Sequence, residues 1–317
     1  MRRLMLFLAI VIMAGCAASN PMYDAAADKA MQAATHDEAV KIFETGTKGH
    51  MHTDRYYAGL ADIHFRYGYF GEAVNDYTRA IRSYDKAQYH LQRGRSYMKL
   101  HFYRDAEIDF SSVIDSQGSR MPVAYVEKAK ANVARGNFSD AMKDLEKAEN
   151  KNGGSIDFLV AMGDLSFRMG RLEQAKTYIQ KALEKDAGNS DLYLLRAKVF
   201  YRSKDANQAI SDLKKALTLD ATNYDAKRML AWIYATNPIS EYRNGKEALR
   251  LSEELYSVAE EAQYAEVLAA AYAETGDFKK AVEVLKEGIL GSADAVQKED
   301  FRFDIQNYEK EQPVRTW

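Results

Sequence analysis

The sequence predicts an all-α protein, an α-solenoid of about eight helix hairpins closed by a final helix, and three observations predict it. An alanine recurs about every 34 residues, at Ala39, Ala73, Ala106, Ala141, Ala175, Ala209, Ala248 and Ala281. A second small residue stands twelve residues before each, or seventeen in the seventh unit, at Ala27, Ala61, Gly94, Ala129, Gly163, Ala197, Ala231 and Ala269. Between the two marks lies a turn, visible as Gly68-Tyr69-Phe70, Gly136-Asn137-Phe138, Gly170-Arg171-Leu172 and Gly276-Asp277-Phe278. Each unit therefore reads as two amphipathic helices joined where glycine permits a left-handed helix exit. Small residues fit where two helices cross closely, and large ones fill the space beside them. A large apolar residue follows the alanine by four positions in seven of eight units: Phe43, Tyr77, Phe110, Leu145, Ile179, Leu213 and Leu285, the exception being Ser252.

The first element is a leader. Met1-Arg2-Arg3 is a basic start, residues 4–14 are an eleven-residue apolar run, and small residues follow where a signal peptidase cleaves. At about 1.5 Å per residue this run reaches about half way across a ~30 Å hydrocarbon core, so it is an export signal and not a retained span. Met13-Ala14-Gly15-Cys16 resembles the lipobox of bacterial lipoproteins, and Cys16 is the only cysteine in the chain. The resemblance implies cleavage after residue 15, acylation of Cys16, and a mature chain with neither thiol nor disulfide, as suits an oxidising compartment. Loss of two arginines takes the side-chain balance from −2 to −4. By the family's sorting rule Ala17, standing where a retention aspartate would, implies an outer-membrane anchor facing the periplasm in a host with two membranes; three acyl chains hold far more firmly than one. The tether 16–19 is short enough to keep the first hairpin near the bilayer.

The solenoid occupies 20–295. With the small marks numbered 8 and 20, Tyr57, Ala61, Phe70, Ala73 and Tyr77 resemble the tetratricopeptide repeat, whose fold is a right-handed superhelix of helix hairpins. The fit is weakest in the first unit, where His36 replaces an aromatic residue, and in the sixth, where Lys204 and Ala206 stand at the turn. The seventh unit carries an insertion over 236–245, in which Pro238 should stop the first helix and Asn244-Gly245 turn the chain into the second. It reads as a long loop typical of the family. Residues 296–317 supply a capping helix, marked by Val296, Phe301, Ile305 and Tyr308, and then a tail from Pro313.

Composition and motifs exclude several functions. With 44 basic against 46 acidic residues and no run of like charge, the electrostatic footprint of a nucleic-acid binder is missing. There is no phosphate loop, no Gly-x-Ser-x-Gly elbow and no HExxH, so no enzyme and no cofactor is expected. His50-Met51-His52 with His64 is the only histidine cluster, and without a placed cysteine or carboxylate it reads as an exposed loop, not a metal site. Acid pairs such as Glu253-Glu254 and Glu260-Glu261 read as solvated helix faces.

What remains is a binding surface. In the family the first helix of each hairpin lines the concave side, and positions 9, 12 and 13 look into the groove. Position 12 reads Met31, Phe65, Met98, Val133, Phe167 and Tyr201; position 13 reads Gln32, Arg66, Lys99, Ala134, Arg168 and Arg202; position 9 adds Asp28, Asp62, Arg95, Lys130, Asp164 and Lys198. Residues one period apart align, which predicts an apolar stripe beside a broken row of cations. The expected ligand is an extended or helical protein segment, with apolar side chains on the stripe and acidic groups on the cations. The competing reading is that position 12 packs into the core and the cations are solvated. Asp62 and Asp164 depart from the family's carboxylate clamp. The resemblance thus implies a non-enzymatic adaptor, like the repeat-containing lipoproteins that assist pilus secretins, outer-membrane assembly machines or cell-wall hydrolases. The alternative is a glycan-binding or polysaccharide-export accessory, with Tyr201 and Trp232 stacking on sugars.

Overall fold

A computed structural model describes residues 21–50, 53–117, 120–258, 262–291 and 294–317. The leader, Cys16 and its tether lie outside the described residues, as do Met51, His52 and the Glu260-Glu261 pair. Among the described residues there are seventeen α-helices and no strand. The chain divides at Arg135 and Gly136 into two compact units, so the array expected to be continuous over 20–295 is described as two bodies.

The first unit holds α1 (Pro21–Ala30), α2 (His36–Gly46), α3 (Asp54–Arg66), α4 (Phe70–Ser83), α5 (Ala87–Lys99), α6 (Tyr103–Gln117) and α7 (Pro122–Ala134). The second holds α8 (Phe138–Asn152), α9 (Ile156–Arg168), α10 (Leu172–Lys185), α11 (Ser190–Arg202), α12 (Ala206–Leu219), α13 (Tyr224–Thr236), α14 (Gly245–Val258), α15 (Ala262–Glu274), α16 (Phe278–Gly291) and α17 (Ala295–Tyr308). Helix starts follow from local chemistry. The side-chain oxygens of Thr53, Ser155 and Asn223 accept the amide N–H of Tyr56, Phe158 and Ala226, satisfying donors the helix itself leaves unpaired.

Turns between paired helices use the left-handed region. Gly68, Gly136, Gly170 and Gly276 have φ of 84°, 79°, 74° and 87°. In the third and sixth hairpins the same conformation is taken by His101 (φ 62°) and Lys204 (φ 63°), so the sixth unit keeps the turn without the residue that suits it. Lys204 is exposed. Lys204→Gly is therefore expected to stabilise the chain by about 1 kcal/mol, read as a rise in the urea midpoint.

Packing follows the marks. Ala61, Ala73, Ala106, Ala129, Ala141, Ala175, Ala197 and Ala209 are wholly buried, as are Phe43, Phe110, Leu145, Ile179, Leu213 and Leu285. A Cβ on Gly94 would lie 2.6 Å from Cε1 of Phe110, and one on Gly163 would lie 2.9 Å from Cγ1 of Ile179. Hydrogen is the only side chain these crossings admit. Ser252, the break in the pattern, is buried too; its hydroxyl donates to the Ala248 carbonyl oxygen at 2.7 Å, so the polar atom is satisfied within its own helix.

Some consecutive first helices approach one another within each unit, α1 with α3 and α5 with α7 in one, α9 with α11 and α13 with α15 in the other, whereas α3 with α5 and α11 with α13 stay further apart. Consecutive second helices do not come as near. The stack is tighter on the first-helix side, which makes that side the inner wall of each unit. The seventh-unit insertion leaves α13 at Thr236, forms a short 3-10 turn over Ser240–Tyr242, and enters α14 with Asn244 capping the Glu247 N–H at 3.1 Å. In α17, Phe301, Ile305 and Tyr308 are buried against the end of the stack, whereas Val296, expected to pack with them, is exposed at the start of the helix.

Candidate functional site

The inner wall of the first unit presents Phe65 and Met98 half-buried, each with part of its side chain against the core below and part at the surface. Val133, at the same repeat position, is buried. Arg66 and Lys99 stand next in sequence to Phe65 and Met98, exposed, and neither has an ion-pair partner among the described residues. Arg95 and Lys130 were expected to face a ligand's acids, but they are already compensated. Buried Glu127 of α7 takes Arg95 at 2.8 Å and Lys130 at 3.5 Å. Burial would raise the Glu127 carboxyl, yet Lys130 and Arg95 hold it below the usual glutamate range, so it stays charged and occupies both cations.

In the second unit the cations also turn inward. Arg168 pairs with Asp164 of its own helix at 3.1 Å. Arg202 donates to the Phe167 carbonyl oxygen at 2.8 Å and lies 5.2 Å from the Phe167 ring, serving the C-terminal end of α9, where a positive charge is favoured. Lys198 is half-buried with no partner among the described residues. Tyr201 is not an open groove residue: it is buried, and its hydroxyl donates to the Thr316 carbonyl oxygen at 2.9 Å. Trp232 donates its indole N–H to the Thr316 hydroxyl oxygen at 3.1 Å. The aromatic surface expected to stack on sugars is therefore covered by the tail, because Tyr201 and Trp232 each have a polar atom that finds a partner there.

Two features escaped the sequence reading. One is a buried acid three residues after the alanine mark, at Asp76, Asp109, Asp144 and Asp212. In the third and sixth hairpins it holds an arginine from the residue before the small mark: Arg93 to Asp109 at 2.7 Å and Arg196 to Asp212 at 2.7 Å. The same register that revealed the small residues contained this pair. The other is the tail, whose course no periodicity encodes.

His64 bridges His36 and Asp76. His64 Nδ1 meets His36 Nε2 at 2.8 Å and its Nε2 meets Asp76 at 3.3 Å, while Tyr69 stacks on His36 with ring centroids 3.8 Å apart. Among the described residues no group of three or more His, Cys, Asp or Glu side chains is placed to hold a metal ion. No helix among them is long and apolar enough to cross a membrane.

Family profiles decide what the hairpins are. Tetratricopeptide-repeat profiles match residues 91–155, 132–199 and 190–223. The hairpins within residues 91–223 match tetratricopeptide repeats. No curated protein matches the chain. Solved structures of such repeats match most of it: yeast Tom70 with a TM-score of 0.60 and 17% identity over 92% of this chain and 61% of that one. A tetratricopeptide repeat protein from Parabacteroides merdae gives 0.54 and 13% over 92% of this chain and 100% of that one. Pseudomonas aeruginosa PilF gives 0.51 and 15% over 67% of this chain and 97% of that one. The chain spans less than two thirds of Tom70. At these identities the likeness is one of fold alone.

Proposed function

We propose that this chain is a non-enzymatic adaptor of the bacterial envelope, anchored by lipid at Cys16 and organising membrane or periplasmic protein complexes through the inner walls of its tetratricopeptide repeats. The observation that carries the reading is the uncompensated pair Arg66 and Lys99 beside the half-exposed edges of Phe65 and Met98, since the neighbouring cations Arg95 and Lys130 are neutralised internally. Two half-exposed apolar side chains at equivalent repeat positions, each next in sequence to a cation without an ion-pair partner among the described residues, suit an acidic, amphipathic segment of another protein. The leader and lipobox supply the address. Pilus secretins, outer-membrane assembly machines and cell-wall hydrolases are the classes of partner this address makes available. A glycan-binding role loses its best surface, because Tyr201 and Trp232 are engaged by the tail.

Crosslinking in the native membrane followed by mass spectrometry tests the reading. Arg66→Glu with Lys99→Glu is expected to lower partner capture at least about tenfold, as reversal of two rim charges slows association and places like charges together. Cys16→Ser in the same experiment is expected to move the protein out of the membrane fraction. Undiminished capture by the double variant would remove the inner wall of the first unit from the proposal.

A further inference from the structure

The tail is bound as a ligand would be. Glu311, with φ 57°, reverses the chain after α17: its N–H donates to Tyr308 O at 2.9 Å, and that of Gln312 to Asn307 O at 3.0 Å. The next residues run across the inner wall of the second unit and meet three successive first helices. Arg315 forms an ion pair with Glu274 of α15 at 2.6 Å and donates to Ala235 O of α13 at 3.1 Å. The Thr316 N–H donates to Thr236 O at 3.0 Å, and the Thr316 carbonyl oxygen accepts from Tyr201 of α11. The Trp317 ring lies 5.9 Å from that of Tyr201.

The insertion makes this possible. In the other hairpins a tight turn folds back on the end of the first helix, as when Arg171 N–H takes Ser166 O and Asp205 N–H takes Phe200 O. In the seventh, Asn237 and Pro238 lead the chain away from the end of α13. Asn244 N–H returns to Tyr234 O as those turns do, but no turn residue takes Ala235 O in the way that Gly170 N–H donates to Phe167 O and Lys204 N–H to Tyr201 O, so the carbonyl of Ala235, with that of the last residue Thr236, is left for another chain segment. Arg243 of the insertion donates to Asn237 O at 3.0 Å and holds Glu274 Oε1 at 2.9 Å, fixing the carboxylate that receives Arg315. Two helix-end carbonyls, a pre-set carboxylate and an aromatic pair, Tyr201 and Trp232, together make a docking site for extended backbone.

We propose that this site binds an extended segment of a partner protein carrying a cation two residues ahead of an aromatic residue, and that Arg315-Thr316-Trp317 is its internal occupant, displaced when the partner enters. The inference rests on the reading of the inner walls as protein-binding surfaces and names a second such surface with its own chemistry. The tail competes with an incoming segment at an effective concentration on the order of a millimolar, as a short intramolecular connection provides.

The test uses a dye-labelled peptide of the sequence Gln-Pro-Val-Arg-Thr-Trp, with fluorescence anisotropy as the readout, against the full chain and against the full chain carrying Arg315→Glu and Trp317→Ala. The expected result is binding to the loosened variant at least about tenfold tighter than to the unaltered chain. Adding Glu274→Arg should abolish it, and a peptide with glutamate in place of its arginine should not bind. If the double variant fails to melt cooperatively, Thr316→Pro, which removes the N–H to Thr236 and the hydroxyl that accepts from Trp232 but keeps Arg315 and Trp317, takes its place. Equal affinity for loosened and unaltered chains, or no binding to a loosened chain with an unchanged circular dichroism spectrum, overturns the inference. With capture through Arg66 and Lys99 intact, such a failure removes the second-unit site alone; loss of both removes the scaffold reading.

Discussion

Phe110→Ala is expected to destabilise the chain by about 3–5 kcal/mol, measured by urea unfolding followed by circular dichroism. Phe110 is wholly buried and packs with Leu91, Val113, Ala124 and Ala131, joining α5, α6 and α7. Its ring lies against Gly94, which has no side chain to turn into the space the ring would leave. The cavity term therefore adds nearly in full to the lost transfer energy. A loss of this size within one unit of a repeat array is expected to broaden the transition. A loss below about 1 kcal/mol would contradict the assignment of Phe110 as the large partner of the small mark.

Asp109→Ala is expected to cost a further comparable amount, about 3–5 kcal/mol near pH 6, since it strands a buried guanidinium. Asp109 is 1% exposed and receives Arg93 at 2.7 Å and 2.8 Å and His90 at 2.9 Å, while His90 also meets Asp85 at 2.9 Å. Burial alone would raise the Asp109 carboxyl; the hydrogen bonds from Arg93 and His90 override it and hold the group below its ordinary value. The hydrogen bond to Asp109 likewise raises His90, against a smaller opposing effect of burial. The signs give a window. The depressed aspartate contributes stability above its unfolded pKa of about 3.9 and loses it as pH falls through the folded value. The raised histidine contributes in full below about 6.5 and loses its part as pH rises through its folded value. The difference between wild type and variant should therefore be greatest between about pH 4 and 6.5 and shrink on either side. A pH-independent difference would show that His90 is not coupled to this carboxylate.

The small and large marks were legible in the sequence because they obey a period, and from the second unit on the small marks are buried as predicted; in the first unit Ala27 is only partly buried, and Ala26 and Ala30 are buried instead. Local chemistry was equally readable at the Gly68, Gly170 and Gly276 turns. The site was less so. Register placed Arg95 and Lys130 on the inner wall, but nothing in a period says that Glu127, three residues before Lys130, neutralises both. Arg168 and Arg202 were assigned to a ligand although a helical neighbour at i−4 and the carbonyl end of α9 take them first. Tyr201 and Trp232 looked open for the same reason: the segment that covers them lies more than 80 residues further along the chain and belongs to no repeat.

The central claim, that the inner wall of the first unit meets a protein partner, is tested most directly by a photo-crosslinking phenylalanine analogue placed at Phe65 and, separately, at Ile108, which is 58% exposed on the second helix of its hairpin. Irradiation in native membranes is predicted to give a discrete protein adduct from position 65 and none from position 108. An adduct from 108 with none from 65 would contradict the account.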